Sequence, residues 1–259
     1  MKKLRTQLLA AAAIVALGGA AYAADMGVPM KAPAPVPIPY TGWQGWYFGG
    51  SIGAARLNVT ANQTAATSSG LGPCSNAGGD LTLFSCSTGA TGFTAGIQAG
   101  YDWQSEDFVY GVVADWTWTG LKHTVTNPTG AISIPFLQAK VDWLATFRGR
   151  MGMASASGKT LVYLTGGLAL GKLKSNAGET FQCPNECFNA ALSKTQVGWV
   201  VGAGIEHKLN QNWSVFGEFL YYDFAKASAQ ATTPDGTNAF VYDFTHEIFQ
   251  GKLGVNYRF

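Results

Sequence analysis

Glu247-Ile248-Phe249-Gln250-Gly251-Lys252-Leu253-Gly254-Val255-Asn256-Tyr257-Arg258-Phe259 sorts into two faces when read two residues at a time. Phe249, Gly251, Leu253, Val255, Tyr257 and Phe259 share one face; Gln250, Lys252, Gly254, Asn256 and Arg258 share the other. A period of two is that of a β-strand, whose successive Cβ atoms point to opposite sides of the sheet. One face suits hydrocarbon and the other suits water. Alternation alone leaves two solutions open: a transmembrane barrel with the apolar face outward, or a soluble lipocalin-like barrel with it inward.

The same pattern recurs upstream. Beginning with Trp46-Phe48-Gly50-Ile52-Ala54, about eight alternating runs follow Gly42. The others are 93–101, 108–118, 141–151, 160–172, 197–205, 213–224 and the stretch just quoted. In the fourth, Val141, Trp143, Ala145, Phe147 and Met151 form the apolar face. Each run is long enough for the 9–11 tilted residues that a bilayer demands. Connections alternate in length: short at Gln104–Asp107, Ser155–Lys159 and Leu209–Asn212, long at Asn58–Thr91, Lys122–Gln138, Ser175–Lys194 and Ala227–Val241. Short turns on one side and long loops on the other predict an all-β, eight-stranded antiparallel transmembrane β-barrel, with periplasmic turns and extracellular loops.

The amino-terminal region agrees with export. Lys2, Lys3 and Arg5, an apolar run over Leu8–Ala16 and Ala21-Tyr22-Ala23 make residues 1–23 a signal peptide. Residues 24–40 form a Pro-rich periplasmic linker, and 41–259 the barrel. Removing three cations from a formal net charge of +2 leaves about −1, so no basic field points to nucleic acid. Charged residues are 12% of the chain, roughly half the share of an ordinary soluble domain, which favours the lipid-facing solution.

Charges choose the facing. Arg148 and Arg150 lie near the middle of their run, where exposure to lipid would cost roughly 2–4 kcal/mol each. Asp115 and Glu218 sit mid-strand on the same polar face, so an interior ion-pair network of Arg148, Arg150, Asp115 and Glu218 is expected. About eight strands leave an interior just wide enough for side chains, which argues against a wide pore. Trp46, Trp103, Phe108, Trp213, Tyr257 and Phe259 should form a belt at the periplasmic rim; Trp116, Trp118, Trp143, Tyr221 and Phe249 should form one at the outer rim.

Four cysteines fall in two of the long connections: Cys74 with Cys86, and Cys183 with Cys187. Export makes disulfides the default, and proximity favours the within-loop pairs among the three formal pairings. Closing the first loop would contribute roughly 3 kcal/mol in the chain-entropy treatment. A metal reading of Cys183-x-x-x-Cys187 lacks a nearby histidine, so no metal or other cofactor is expected. His246-Glu247 at the outer rim offers a base and an orienting carboxylate, but no motif marks a nucleophilic serine. An enzyme is therefore disfavoured.

Trp43-Gln44-Gly45-Trp46-Tyr47-Phe48-Gly49-Gly50, Gly198–Glu206 and Gly254–Phe259 together resemble the small immunogenic outer-membrane proteins of alphaproteobacteria. The likeness runs over essentially the whole mature chain, strongest at these blocks. It implies a porin-like barrel or surface antigen, with roles in envelope integrity and host contact. The ending at Tyr257 and Phe259 is similar to the closing strand of Gram-negative outer-membrane barrels, where it is the signal read by the barrel-assembly machinery. Some relatives are tethered to peptidoglycan through a mature Ala-Asp terminus, which Ala24-Asp25 would supply; others bind haemin, for which no residues here can be mapped. The expected partners are outer-membrane lipid and lipopolysaccharide, the assembly machinery, peptidoglycan and host surface molecules. A narrow passive porin and a loop-mediated ligand binder remain as alternatives.

Overall fold

Alternating runs on a closed sheet satisfy every backbone N–H and C=O without an edge, the condition for a sheet to cross hydrocarbon. In the computed structural model, residues 42–66, 85–126, 134–180, 189–232 and 239–259 are described. The chain divides into two units, Met1–Tyr40 and Thr41–Phe259. The first, with the expected signal peptide, linker and Ala24-Asp25, lies outside the described residues. So do Cys74, Cys183 and Cys187; Cys86 lies on a strand opposite Ala61, its side chain outside the description.

The strands are β1 (Gly45–Ala66), β2 (Ser85–Ser105), β3 (Phe108–Thr119), β4 (Lys122–Thr126), β5 (Ile134–Ala154), β6 (Thr160–Thr180), β7 (Asn189–Lys208), β8 (Trp213–Thr232) and β9 (Ala239–Arg258). Neighbours pair antiparallel in the order β3-β2-β1-β9-β8-β7-β6-β5-β4, and β3 also pairs with β5, which closes the ring. Both β3 and β4 run along β5, separated by Gly120-Leu121, so they are two halves of one stave and the barrel has eight. Glu106-Asp107, 155–159 and 209–212 turn the chain at one end, hereafter the turn end. Glu106 takes a left-handed φ of 55° there.

The strands are longer than the alternating runs. Most have 20–22 residues, about 50 Å along the axis once tilted, against an apolar band of about 25 Å. Much of what the sequence offers as long loops is therefore strand. The reason lies in the polarity of the faces. Towards the turn end, the outward residues of β1 are Trp46, Phe48 and Ile52, and the inward ones of its neighbours are Gln98, Asp102 and Asn256. Past Ala54 the outward residues become Arg56, Asn58, Thr60 and Asn62, while Ala55, Leu57, Val59 and Ala61 are buried inside. No register shift accompanies the change. The pleat continues and the solvent changes: hydrocarbon outside gives way to water outside.

All staves obey the same inversion. At the loop end Leu121, Val141, Leu144, Leu173, Leu192, Val200, Leu220, Tyr222, Phe224, Phe244 and Ile248 join the β1 residues in one interior cluster. Burying each large member contributes about 1.5–3 kcal/mol, as in a water-soluble barrel. Val141 belongs to this interior, whereas alternation places it outward with Trp143. A bulge between Val141 and Leu144 inserts an extra residue and reverses the phase. A second bulge lies between Phe224 and Ala227.

Candidate functional site: a two-tier charged lumen

Eight charged side chains fill the turn-end half of the interior in two neutral tiers. The upper tier holds Arg148, Lys252, Asp115 and Glu218. Arg148 Nη2 lies 2.8 Å from Asp115 and its Nη1 2.9 Å from Glu218 Oε1. Lys252 Nζ lies 2.9 Å from Glu218 Oε2 and 3.8 Å from Asp115. Thr146 donates its hydroxyl to Asp115 and accepts from Arg148 Nε at 2.9 Å. All four charged groups are at most 7% exposed. Such a set is tolerable only because each charge has an opposite partner and further hydrogen bonds.

The lower tier holds Arg150, Arg258, Asp102 and Glu206. Arg150 donates Nε to Asp102 Oδ1 at 2.6 Å and pairs through Nη1 with Glu206 at 3.0 Å. Arg258 Nη2 lies 2.8 Å from Asp102 and 3.8 Å from Glu206. The Arg150 guanidinium lies between the Tyr47 and Tyr163 rings, 4.6 and 5.1 Å from their centroids. Room for these rings comes from glycine: a Cβ on Gly100 would collide with the Tyr47 hydroxyl, and one on Gly204 would lie 2.5 Å from Tyr163 Cζ. Between the tiers, Gln98 donates to Asn256 at 2.8 Å, and Asn256 donates to Glu206 at 3.0 Å.

Sequence reasoning placed Arg148, Arg150, Asp115 and Glu218 in one network. The structure brings Arg148, Asp115 and Glu218 together but sends Arg150 to Asp102 and Glu206. On β5, Arg148 and Arg150 point the same way yet lie one full pleat apart, and each reaches the carboxylates at its own height. Alternation puts Lys252 on the polar face of its strand without naming a partner, and it does not single out Asp102, Glu206 or Arg258. The last three stand close to strand ends, where a charge is equally at home in water, so only the pairing gives them away.

The lumen is capped at both ends. Trp43, fully buried, lies across the turn-end mouth. Its carbonyl accepts from Arg258 Nη1, its N–H donates to Gln104 Oε1 at 2.6 Å, and Lys208 Nζ lies 4.8 Å from its ring. Lys208 also donates to Gly42 O at 2.7 Å. Above the upper tier, Tyr222 donates to Gln250 at 2.7 Å and Gln250 to Thr94 at 3.1 Å. The apolar loop-end cluster follows directly.

His246 is also inside, not at an exposed rim. Its Nε2 lies 3.0 Å from Ser175 Oγ, and burial pushes its pKa down to about 4. Glu247 faces outward, because adjacent residues of a strand point to opposite sides; it cannot orient the imidazole. The aromatic rings gather at two heights on the outer surface. Trp46, Tyr101, Trp103 and Tyr110 make successive ring contacts near the turn end, as do Trp213, Tyr257 and Phe259. Nearer the loop end Trp116 stacks on Trp143 at 4.4 Å, and Trp199, Tyr221 and Phe249 form a second group.

The family described as "Outer membrane protein beta-barrel domain" matches residues 9–259. The 31 kDa outer-membrane immunogenic protein of Brucella melitensis is 35% identical over 175 residues, covering 66% of this chain and 68% of that protein. The 25 kDa outer-membrane immunogenic protein of Brucella canis is 25% identical over 262 aligned positions, covering 100% of both. Among solved structures, the outer membrane protein OprG of Pseudomonas aeruginosa superposes with a TM-score of 0.50 at 13% identity, covering 85% of this chain and 98% of that one. At that identity the likeness is one of fold.

Proposed function

The chain belongs to the outer membrane protein beta-barrel domain family, and on that premise we propose that it is a non-enzymatic, non-conducting barrel that supports the envelope and displays its loops. The turn end is then periplasmic and the loop end extracellular. One observation carries the reading: the interior is occupied along its length. Trp43 covers the periplasmic mouth, two neutral tiers of ion pairs follow, and a buried apolar cluster fills the extracellular half. An ion crossing this path would have to part paired charges and then enter a hydrocarbon-like interior, each costing several kcal/mol.

The long extracellular extension supports display, since most strands run on well past the apolar band. The Cys74–Cys86 and Cys183–Cys187 pairings expected from the sequence belong to this reading. The burial of His246 away from Glu247 leaves the one base considered from sequence without its orienting partner.

Single-channel recording on protein refolded into planar bilayers tests the reading. No stepwise conductance is expected up to about 100 mV, a potential worth only about 2.3 kcal/mol per elementary charge. Reproducible unitary steps that vanish with boiled protein would establish the narrow porin instead.

A further inference from the structure

Four lysines stand on neighbouring staves just beyond the apolar band. Lys122 on β4 is the register partner of Lys140 on β5, and Lys140 that of Lys174 on β6. Lys172 lies one pleat nearer the membrane on the same outward face, next after Leu170 and Leu168. Like charges placed directly opposite one another across a ladder are destabilising, so such a row calls for a counter-charge. Among the described residues only Asp142 supplies one: its two oxygens lie 2.8 Å from Lys140 Nζ and 2.8 Å from Lys174 Nζ. Hydrogen bonds from those two lysines hold the Asp142 carboxyl down to about 2, so it is ionised throughout the physiological range. One anion gathers two ammonium groups and leaves the patch strongly positive.

The bulge in β5 makes this arrangement. It turns both Asp142 and Trp143 outward, which places the Asp142 carboxylate between two lysines and the Trp143 ring, stacked on Trp116, directly beneath them. The opposite side of the ring is mixed: Asp223 and Glu247 are register partners on β8 and β9, four staves from β5, and Arg56 faces outward on the neighbouring β1. The row on β4–β6 differs from it in setting four cations against one anion.

We propose that Lys122, Lys140, Lys172 and Lys174 seat the phosphate groups of lipopolysaccharide, whose acyl chains lie on Leu168, Leu170 and the Trp116–Trp143 pair below. This deepens the envelope reading and rests on its orientation of the barrel. The depth fits: the row stands within the headgroup layer, roughly 5–8 Å thick on each side of the hydrocarbon. Ammonium groups on flexible stems form charge-assisted hydrogen bonds to phosphate and can adjust to its position. The strip beneath supplies the apolar half of an amphipathic ligand.

Native mass spectrometry of refolded protein in micelles, titrated with lipopolysaccharide, tests this. Wild type should retain the glycolipid. Joint Lys140→Gln, Lys172→Gln and Lys174→Gln substitution should weaken retention by roughly a hundredfold, since each lysine near an anionic surface contributes about a fivefold preference. The corresponding Lys→Arg triple should retain binding, while removal of the lipid's phosphates should reproduce the loss. Millimolar inorganic phosphate should not compete, which separates the lipid from a free anion. Equal retention by the Gln triple, or equal binding of dephosphorylated lipid, would overturn the proposal. So would wild-type oligomers that Asp223→Asn with Glu247→Gln breaks down to monomer, which would mean that the basic face meets the acidic face of a second copy. Conductance of the same preparation is read separately, because a conducting barrel could still hold the lipid.

Discussion

At the scale of single residues, the lumen charges carry the sharpest consequences. Arg148→Met leaves Asp115 and Glu218 with Lys252 as their remaining cation. Removing one member of a buried ion pair costs about 3–5 kcal/mol, so the urea midpoint of the folded band in lipid vesicles should fall sharply. Adding Asp115→Leu to Arg148→Met should recover part of the loss, because the orphaned carboxylate goes with it. Arg148 was legible in the sequence because a guanidinium in mid-run has only one comfortable direction. Its partner in kind, Arg258, was not, because at the last residue of a strand either solvent will serve. His246 makes a separate prediction. Buried and held neutral, it has a folded pKa of about 4 against an ordinary 6.5. The unfolded chain therefore binds the extra proton as pH falls from about 6.5 to about 4, and stability drops by about 3 kcal/mol across that window, then levels off. His246→Gln should flatten this part of the stability profile. An unchanged slope in the variant would place the titration elsewhere.

At the scale of elements, the bulge between Val141 and Leu144 is the feature that alternation could not foresee. Val141-Asp142-Trp143-Leu144 offers an apolar residue to either face under either phase, so pattern alone places Val141 with Trp143. The structure instead buries Val141 and Leu144 inside and turns Asp142 and Trp143 out. Deleting Trp143 should remove the extra residue and leave Val141-Asp142-Leu144 in plain alternation, so both halves of β5 keep their facing without a bulge. The expected result is that the heat-modifiable folded band survives, with some stability lost along with the Trp116 stacking. Loss of the folded band would show that the extra residue does more than set the phase. The strand extensions were hidden for a related reason. Along Ile52-Gly53-Ala54-Ala55-Arg56-Leu57 the apolar residues pass from even to odd positions, which from sequence reads as the end of a strand. In the fold nothing slips. β1 runs on to Ala66 with its side chains still alternating, and the two faces have exchanged solvents.

At the scale of the whole molecule, that exchange makes the barrel two kinds of protein on one set of staves: a membrane barrel below and a water-soluble barrel above. The two solutions that alternation left open are both realised, one on top of the other. A single strand suffices to test this. On β6, Leu168 faces lipid, Leu173 is fully buried in the extracellular interior, and Asn176 faces outward above the band. Leu168→Arg should cost about 2 kcal/mol, the penalty for a cation on the lipid face away from the interfaces. Leu173→Arg should cost more than about 4 kcal/mol, since it removes core packing and buries an unpaired charge. Asn176→Arg should lie within about 0.5 kcal/mol of wild type. A barrel with a polar lumen along its full length would rank the first two the other way, accepting arginine at Leu173 because water could reach it. Urea unfolding of the three variants in lipid vesicles, followed by the fraction of heat-modifiable band, decides between the two orders. The prediction turns on Leu173, where a polar lumen would accept arginine and an apolar core rejects it.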